Sequence, residues 1–129
     1  MKLSNKVFFL QNVSDTELSG LYQNSLALIM PSLMEGFGLP AIEAMANKCL
    51  ILASDIPSLK EACGNVALYF NPLSIDELTE KLNMVTSHTT EYEGLEELRK
   101  RGVERAKKFS WCKMAKETLS IYENATSNS

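Results

Sequence analysis

Four short apolar runs, separated by stretches with helical spacing, set the layout of the chain. Residues 7–10 (VFFL), 26–30 (LALIM), 49–53 (CLILA) and 66–70 (VALYF) are continuously apolar, as strands buried on both faces are. Ser14-Asp-Thr-Glu17 and Ser74-Ile-Asp-Glu77 read as capping boxes, because a serine oxygen can accept from the N–H three residues on while the glutamate reaches back. The first predicts a helix with Leu18, Leu21 and Tyr22 as its apolar stripe, and the second a helix to about residue 86. Pro31-Ser32 closes the second run. Pro40 suits the first position of the next helix, where its missing N–H has no partner to lose; Ile42, Met45 and Ala46 form the buried face. A short helix lies within IPSLKEACG and ends at Gly64. Residues 87–90 (SHTT) read as a linker, 91–108 as a charged helix. A last helix from about Ser110 carries Trp111, Met114, Ala115, Thr118, Ile121 and Tyr122 on one face, with Trp111 expected in the core. The tail 125–129 is expected to fray.

Strands that alternate with helices and are apolar throughout predict an α/β fold, a parallel sheet covered on both faces. There is no internal repeat or low-complexity tract, so residues 1–129 are read as a single domain, with its core over about 6–122 and 125–129 as tail. Hydrophobic residues make up 45% and charged residues 22%, values that argue against disorder. The net charge of −3 argues against nucleic acid as a partner. No apolar run approaches the length of a membrane span, and VFFL is too short for a secretory leader. Cys49, Cys63 and Cys112 have no metal-like spacing and read as buried free thiols in a reducing, cytoplasmic setting.

The chemistry concentrates in residues 35–43, EGFGLPAIE. This segment follows the second strand and opens a helix, which in an open parallel sheet is where ligands bind. Gly36 and Gly38 can take backbone shapes that other residues resist, and they let a ligand approach the main chain. Free N–H groups at the start of the helix favour an anion such as phosphate. Glu35 lies in the loop and Glu43 about one turn inside the helix, so they can grip different parts of one elongated ligand. A carboxylate accepts hydrogen bonds from adjacent hydroxyls, as on a ribose or a hexose. An anion cradle with two hydroxyl grips suits a sugar nucleotide. The same residues also fit a plainer reading: a turn, a carboxylate favouring the positive helix end and a solvated helical glutamate. A glycosidase acid/base pair of Glu35 and Glu43 is a weaker reading, because such enzymes need no phosphate site.

The run PSLMEGFGLPAIEAMA (31–46) resembles the signature of glycosyltransferase family 4, whose members have the GT-B fold. The signature's two glutamates, separated by seven residues, match Glu35 and Glu43. The resemblance extends through ASDIPSLKEACGNVALYFNP (53–72) and RGVERAKKFSW (101–111). It implies a three-layer Rossmann-like sheet belonging to the C-terminal, donor-binding domain of a retaining enzyme. Such an enzyme transfers a hexose, mannosyl- or glucosyl-like, from a UDP-, GDP- or ADP-linked donor to a glycan or lipid-linked acceptor. No cofactor is implied, and as a rule no metal. By resemblance Glu35 is the catalytic-site residue beside the transferred sugar. The backbone of Gly36, Phe37, Gly38 and Leu39 contacts the sugar and diphosphate, and Glu43 holds the ribose hydroxyls.

Several positions depart from the family pattern. Lys48 stands where glycine is common, Leu50 where proline is common, and Gln11 where a glycine often follows the first strand. Asn47 is expected to cap its helix in a left-handed conformation. Family members also carry an N-terminal domain, and a basic Arg/Lys pair on the diphosphate. Residues 14–47 contain no Lys or Arg, a poor setting for a diphosphate unless cations arrive from elsewhere. The chain therefore reads as a truncated domain, inactive alone, whose partner is a missing N-terminal half or a separate subunit. The rival reading is a non-catalytic fragment or split-enzyme subunit that acts as an interaction or donor-binding module. His88 reads as a surface residue. The basic residues among 99–108, offset by glutamates, read as a solvated helix, with peripheral contact to an anionic membrane as the alternative. The family's strand order, 3-2-1-4-5-6, makes 7–10 strand 3 and 26–30 strand 4. Without the strands between, 7–10 should pair directly with 26–30, or the exposed edge should drive self-association.

Overall fold

Three strands form one parallel sheet: β1 (Ala27–Met30), β2 (Leu50–Ser54) and β3 (Leu68–Phe70), in the order β1-β2-β3. They are seen in a computed structural model that describes residues 6–87 and 94–127. The helices are α1 (Asp15–Asn24), α2 (Leu39–Ala46), α3 (Pro57–Cys63), α4 (Ile75–Thr86), α5 (Gly94–Ala106) and α6 (Trp111–Ser127). His88 and the start of the charged helix at 91–93 lie outside the described residues.

The register Ala27↔Leu50 through Met30↔Ala53 sorts the sheet residues by the period-2 alternation of strands. Leu28, Met30, Ile51, Ala53 and Tyr69 face one layer, packed with α1, α2 and α3. Ala27, Leu50, Leu52, Leu68 and Phe70 face the other, against Leu78, Leu82 and Val85 of α4 and Leu95 and Leu98 of α5. All five residues of β2 are buried, as expected of the middle strand in a three-layer α/β fold. Ser54, the buried polar residue there, donates its hydroxyl to the Met30 carbonyl at 3.1 Å.

The first capping box forms as written: Ser14 and Glu17 bond reciprocally at the start of α1. The second forms by half. The Ser74 hydroxyl accepts from the Glu77 N–H, but the Glu77 carboxylate turns instead to the Asn71 N–H at 2.8 Å. The buried face of α2 is Ala41, Ala44 and Met45, with Ile42 half-buried and Ala46 exposed. The two small alanines bring α2 close to its neighbours, and α5 approaches so nearly that a Cβ on Gly102 would stand 3.4 Å from Met45 Cγ. The left-handed residue after α2 is Lys48 (φ 59°), not Asn47 (φ −94°). Asn47 instead spends its side chain on hydrogen bonds described below.

The charged helix is not merely solvated. Arg99 donates to the carbonyls of Lys48 (3.0 Å) and Leu26 (2.7 Å), Arg101 to that of Asn65, and Arg105 to those of Ala62 and Glu61. These bonds tie α5 to the turn after α2, the start of β1 and the end of α3.

Three other expectations fail for want of a partner surface. Residues 7–10 form no strand and do not pair with β1; Phe8 and Phe9 are 80% and 90% exposed. The sequence of α6 has its apolar stripe, but residues 111–126 are exposed along the whole helix, Trp111 included. Cys112 is therefore exposed, while Cys49 and Cys63 are buried free thiols. Residues 125–127 continue α6, which runs to Ser127, and 128–129 lie outside the described residues. No helix among the described residues is long and apolar enough to cross a membrane.

Candidate functional site

Each strand ends at the same edge of the sheet, and the loop leaving β1, residues 31–38, is the longest of the connections there. Glu35 lies in it, half-buried, and its Oε1 accepts a hydrogen bond from Ser32 Oγ at 2.7 Å. Ser32, three residues upstream, thus holds one carboxylate oxygen. Sequence reasoning passed over Ser32; a hydroxyl three residues before a loop glutamate was the available signal.

The loop ends at Gly38, the N-cap of α2, with φ 84° and ψ 41°. A left-handed backbone costs an L-residue about 1–2 kcal/mol. Space is short as well, because a Cβ at Gly38 would stand 2.8 Å from Leu59 Cδ2 of α3. Gly36 differs: a Cβ there would meet nothing within 4 Å, so its contribution is an uncovered main chain. Pro40 occupies the second helical position rather than the first, which falls to Leu39. The Ala41 N–H bonds back to the Gly38 carbonyl at 3.0 Å. The donors that the helix itself does not use are therefore the Leu39 N–H and those of the loop before it, and no side chain caps this end.

Glu43 is exposed, a little over one turn into α2. The buried Tyr22 of α1 presents its hydroxyl to the Glu43 carboxylate. Burial first, then the negative charge of Glu43, pushes the Tyr22 hydroxyl above its ordinary pKa. Asn47 locks the two helices together: its Oδ1 accepts from Ser19 Oγ (2.6 Å) and Gln23 Nε2 (3.0 Å), and its Nδ2 donates to the Glu43 carbonyl (2.9 Å). The contacts of Tyr22, Ser19 and Gln23 with α2 join residues more than twenty positions apart, which no local sequence pattern announces.

Glu43 shares an open cleft of about 680 Å³ with Phe37, Leu39 and Ile42 on one side and Phe109, Trp111 and Met114 on the other. Phe37 and Phe109 meet edge to face, with centroids 5.7 Å apart and planes at 77°. The structure thus brings Phe37, Leu39 and Glu43 onto one cleft, with Gly36 and Gly38 in the loop above α2. Glu35, in the same loop, lies outside the cleft lining. Among cationic groups at this end, Lys60 is paired with Asp55 at 2.5 Å, and Lys108 and Lys113 line the cleft. No cluster of three His, Cys, Asp or Glu able to hold a metal occurs among the described residues.

A family profile described as glycosyl transferases group 1 matches residues 1–109. The chain is 38% identical over 103 residues to an O-antigen chain mannosyltransferase of Salmonella typhimurium, covering 72% of this chain and 29% of that protein. It is 37% identical over 127 residues to an MMP α-(1→4)-mannosyltransferase of Mycolicibacterium hassiacum, covering 95% of this chain and 30% of that one. A serotype-specific mannosyltransferase of Escherichia coli is 49% identical over 70 residues, 54% of this chain and 9% of the relative. The chain therefore spans under a third of the length of the relatives it matches.

Proposed function

The chain belongs to the group 1 glycosyl transferases, and from that premise we propose that it is the donor-binding part of a retaining hexosyltransferase. The relatives named above are mannosyltransferases, which favours mannose as the sugar, carried on a UDP, GDP or ADP leaving group. The acceptor is a glycan or a lipid-linked glycan. One observation supports the reading above the rest: a glutamate braced by Ser32 stands directly before an uncapped, glycine-shaped helix start, with a second glutamate one turn inside it.

In this reading Glu35 accepts hydrogen bonds from hydroxyls of the sugar and holds the ring as its anomeric carbon gains oxocarbenium character. The N–H groups of Gly36 to Leu39 lie against the sugar and diphosphate, where negative charge grows as the leaving group departs. Donors fixed before the reaction stabilise that charge without reorganising. Glu43 accepts from the two ribose hydroxyls. Residues 14–47 supply no cation; the cations that this chain brings to the cleft are Arg105, Lys108 and Lys113, and in this reading an N-terminal half or partner subunit completes the site, so that the chain alone transfers nothing. The enzyme would work in the cytoplasm, at the inner face of the membrane if its acceptor is a lipid. The test is a titration of the labelled chain with UDP-, GDP- and ADP-sugars, followed by amide shifts. Shifts should centre on residues 35–43, and Glu43→Ala should weaken the best donor by roughly 1–3 kcal/mol for lost charged hydrogen bonds. Shifts confined to other parts of the chain would refute the assignment.

A further inference from the structure

We infer that Phe109 and Arg105 are positioning residues that hold the Gly36–Phe37–Gly38 segment in shape from the far side of the cleft. The claim rests on the reading that this segment receives the donor. Its observations are geometric. Phe37 is 39% exposed and belongs to a loop with no strand or helix ladder of its own. Its ring is met by the edge-to-face contact with Phe109, just beyond the end of α5. Such aromatic pairs contribute beyond their buried area.

Phe109 is itself covered. The Arg105 guanidinium stands 5.8 Å from its ring centroid, within the range of cation–π attraction. Arg105 cannot wander, because Nε donates to the Ala62 carbonyl at 2.6 Å and Nη2 to the Glu61 carbonyl at 2.5 Å. These carbonyls lie in the last turn of α3, where helix carbonyls lack intrahelical partners. Room for the guanidinium is left by Gly64, where a Cβ would stand 2.8 Å from Arg105 Cζ. The same helix α3 supplies Leu59 and Ala62 beneath Gly38. One short helix therefore fixes both sides of the segment: directly under Gly38, and through Arg105 and Phe109 at Phe37. Residues more than seventy positions apart in sequence, 37 and 109, set the approach of the main chain to its ligand.

The test uses the labelled 129-residue chain and its Phe109→Leu, Phe109→Tyr and Phe37→Leu variants. Order and exchange of the amides of Gly36, Phe37 and Gly38 are compared with those of Ile51 and Leu52 in β2. Phe109→Leu should loosen the loop amides by about 2- to 10-fold, the worth of one aromatic pair, with β2 unchanged. Phe109→Tyr should restore them. Phe37→Leu removes the same contact from its exposed partner, so it gives the same result even if Phe109→Leu fails to fold. Unchanged loop amides in Phe37→Leu or Phe109→Leu, or equal loosening of β2, would overturn the proposal. Titration of the chain and of each variant with UDP-, GDP- and ADP-mannose separates the two claims. A loosened loop with no response of residues 35–43 to the donor leaves the positioning intact and sinks the donor assignment. An unmoved loop sinks the positioning whatever the donor does.

Discussion

Gly38 carries a double demand that no side chain can meet: a left-handed backbone and a Cβ position already taken by Leu59. Gly38→Ala should lower stability by about 1–3 kcal/mol, from the conformational cost and the displaced leucine. Gly36→Ala, facing open space, should stay within about 0.5 kcal/mol. Urea melts of both variants check the contrast, and equal effects would contradict it. A second residue-scale prediction concerns alkaline pH. Burial, then the nearby Cys63, pushes the Tyr69 hydroxyl from 10.0 up to about 12, and burial pushes the Cys63 thiol from 9.0 to about 11. Both folded groups keep their protons where the unfolded chain releases them. Their contribution is therefore complete below pH 9 and is lost as pH rises from 9 to about 12. The urea midpoint should fall across that window, and Tyr69→Phe should flatten the upper part of the fall. At this scale Gly38 was legible, because its backbone takes a shape that other residues resist; the roles of Glu35 and Glu43 rest on the proposed function. Ser32 was overlooked, and Asn47 was misread: its amide serves α1, which passes the left-handed turn to Lys48.

Among the elements, three strands and the helices between them were legible from apolar runs, caps and prolines, to within a residue or two at most ends. The failures have one cause. Residues 7–10 and α6 carry the composition of buried elements, yet composition states a preference for burial without naming the surface that provides it. β1 is the edge of the sheet, with Ile29 39% exposed and no strand on its outer side among the described residues. An open apolar edge beside an exposed VFFL segment recruits partners. Since the expected internal pairing of 7–10 with β1 does not occur, the chain alone should self-associate. Sedimentation should show mass rising with concentration, and Phe9→Lys should reduce the rise; a constant mass at every concentration would count against it. The arginines of α5 were legible as charge but not as clasps, because their acceptors are backbone carbonyls that no side-chain pattern announces.

At the scale of the whole molecule, the central strand β2 ties together two apolar layers, and α5 spans them. Its Leu95 and Leu98 join the β2/β3/α4 layer, while Gly102 and Ala106 meet α2 and the layer beside it. That clamp holds the later part of α2, at Met45, in a helix whose start lies at the sheet edge where ligands of such folds bind. The most direct test of the account is mannosyl transfer by a chimera. Residues of this chain would replace the matched 103 residues of the Salmonella O-antigen chain mannosyltransferase, with and without Glu35→Gln. The account predicts that the chimera transfers mannose and that Glu35→Gln lowers its turnover by about 100-fold, the scale of losing one preorganised contact at the reacting centre, with the fold intact by circular dichroism. A Glu35→Gln chimera as active as its parent would contradict it.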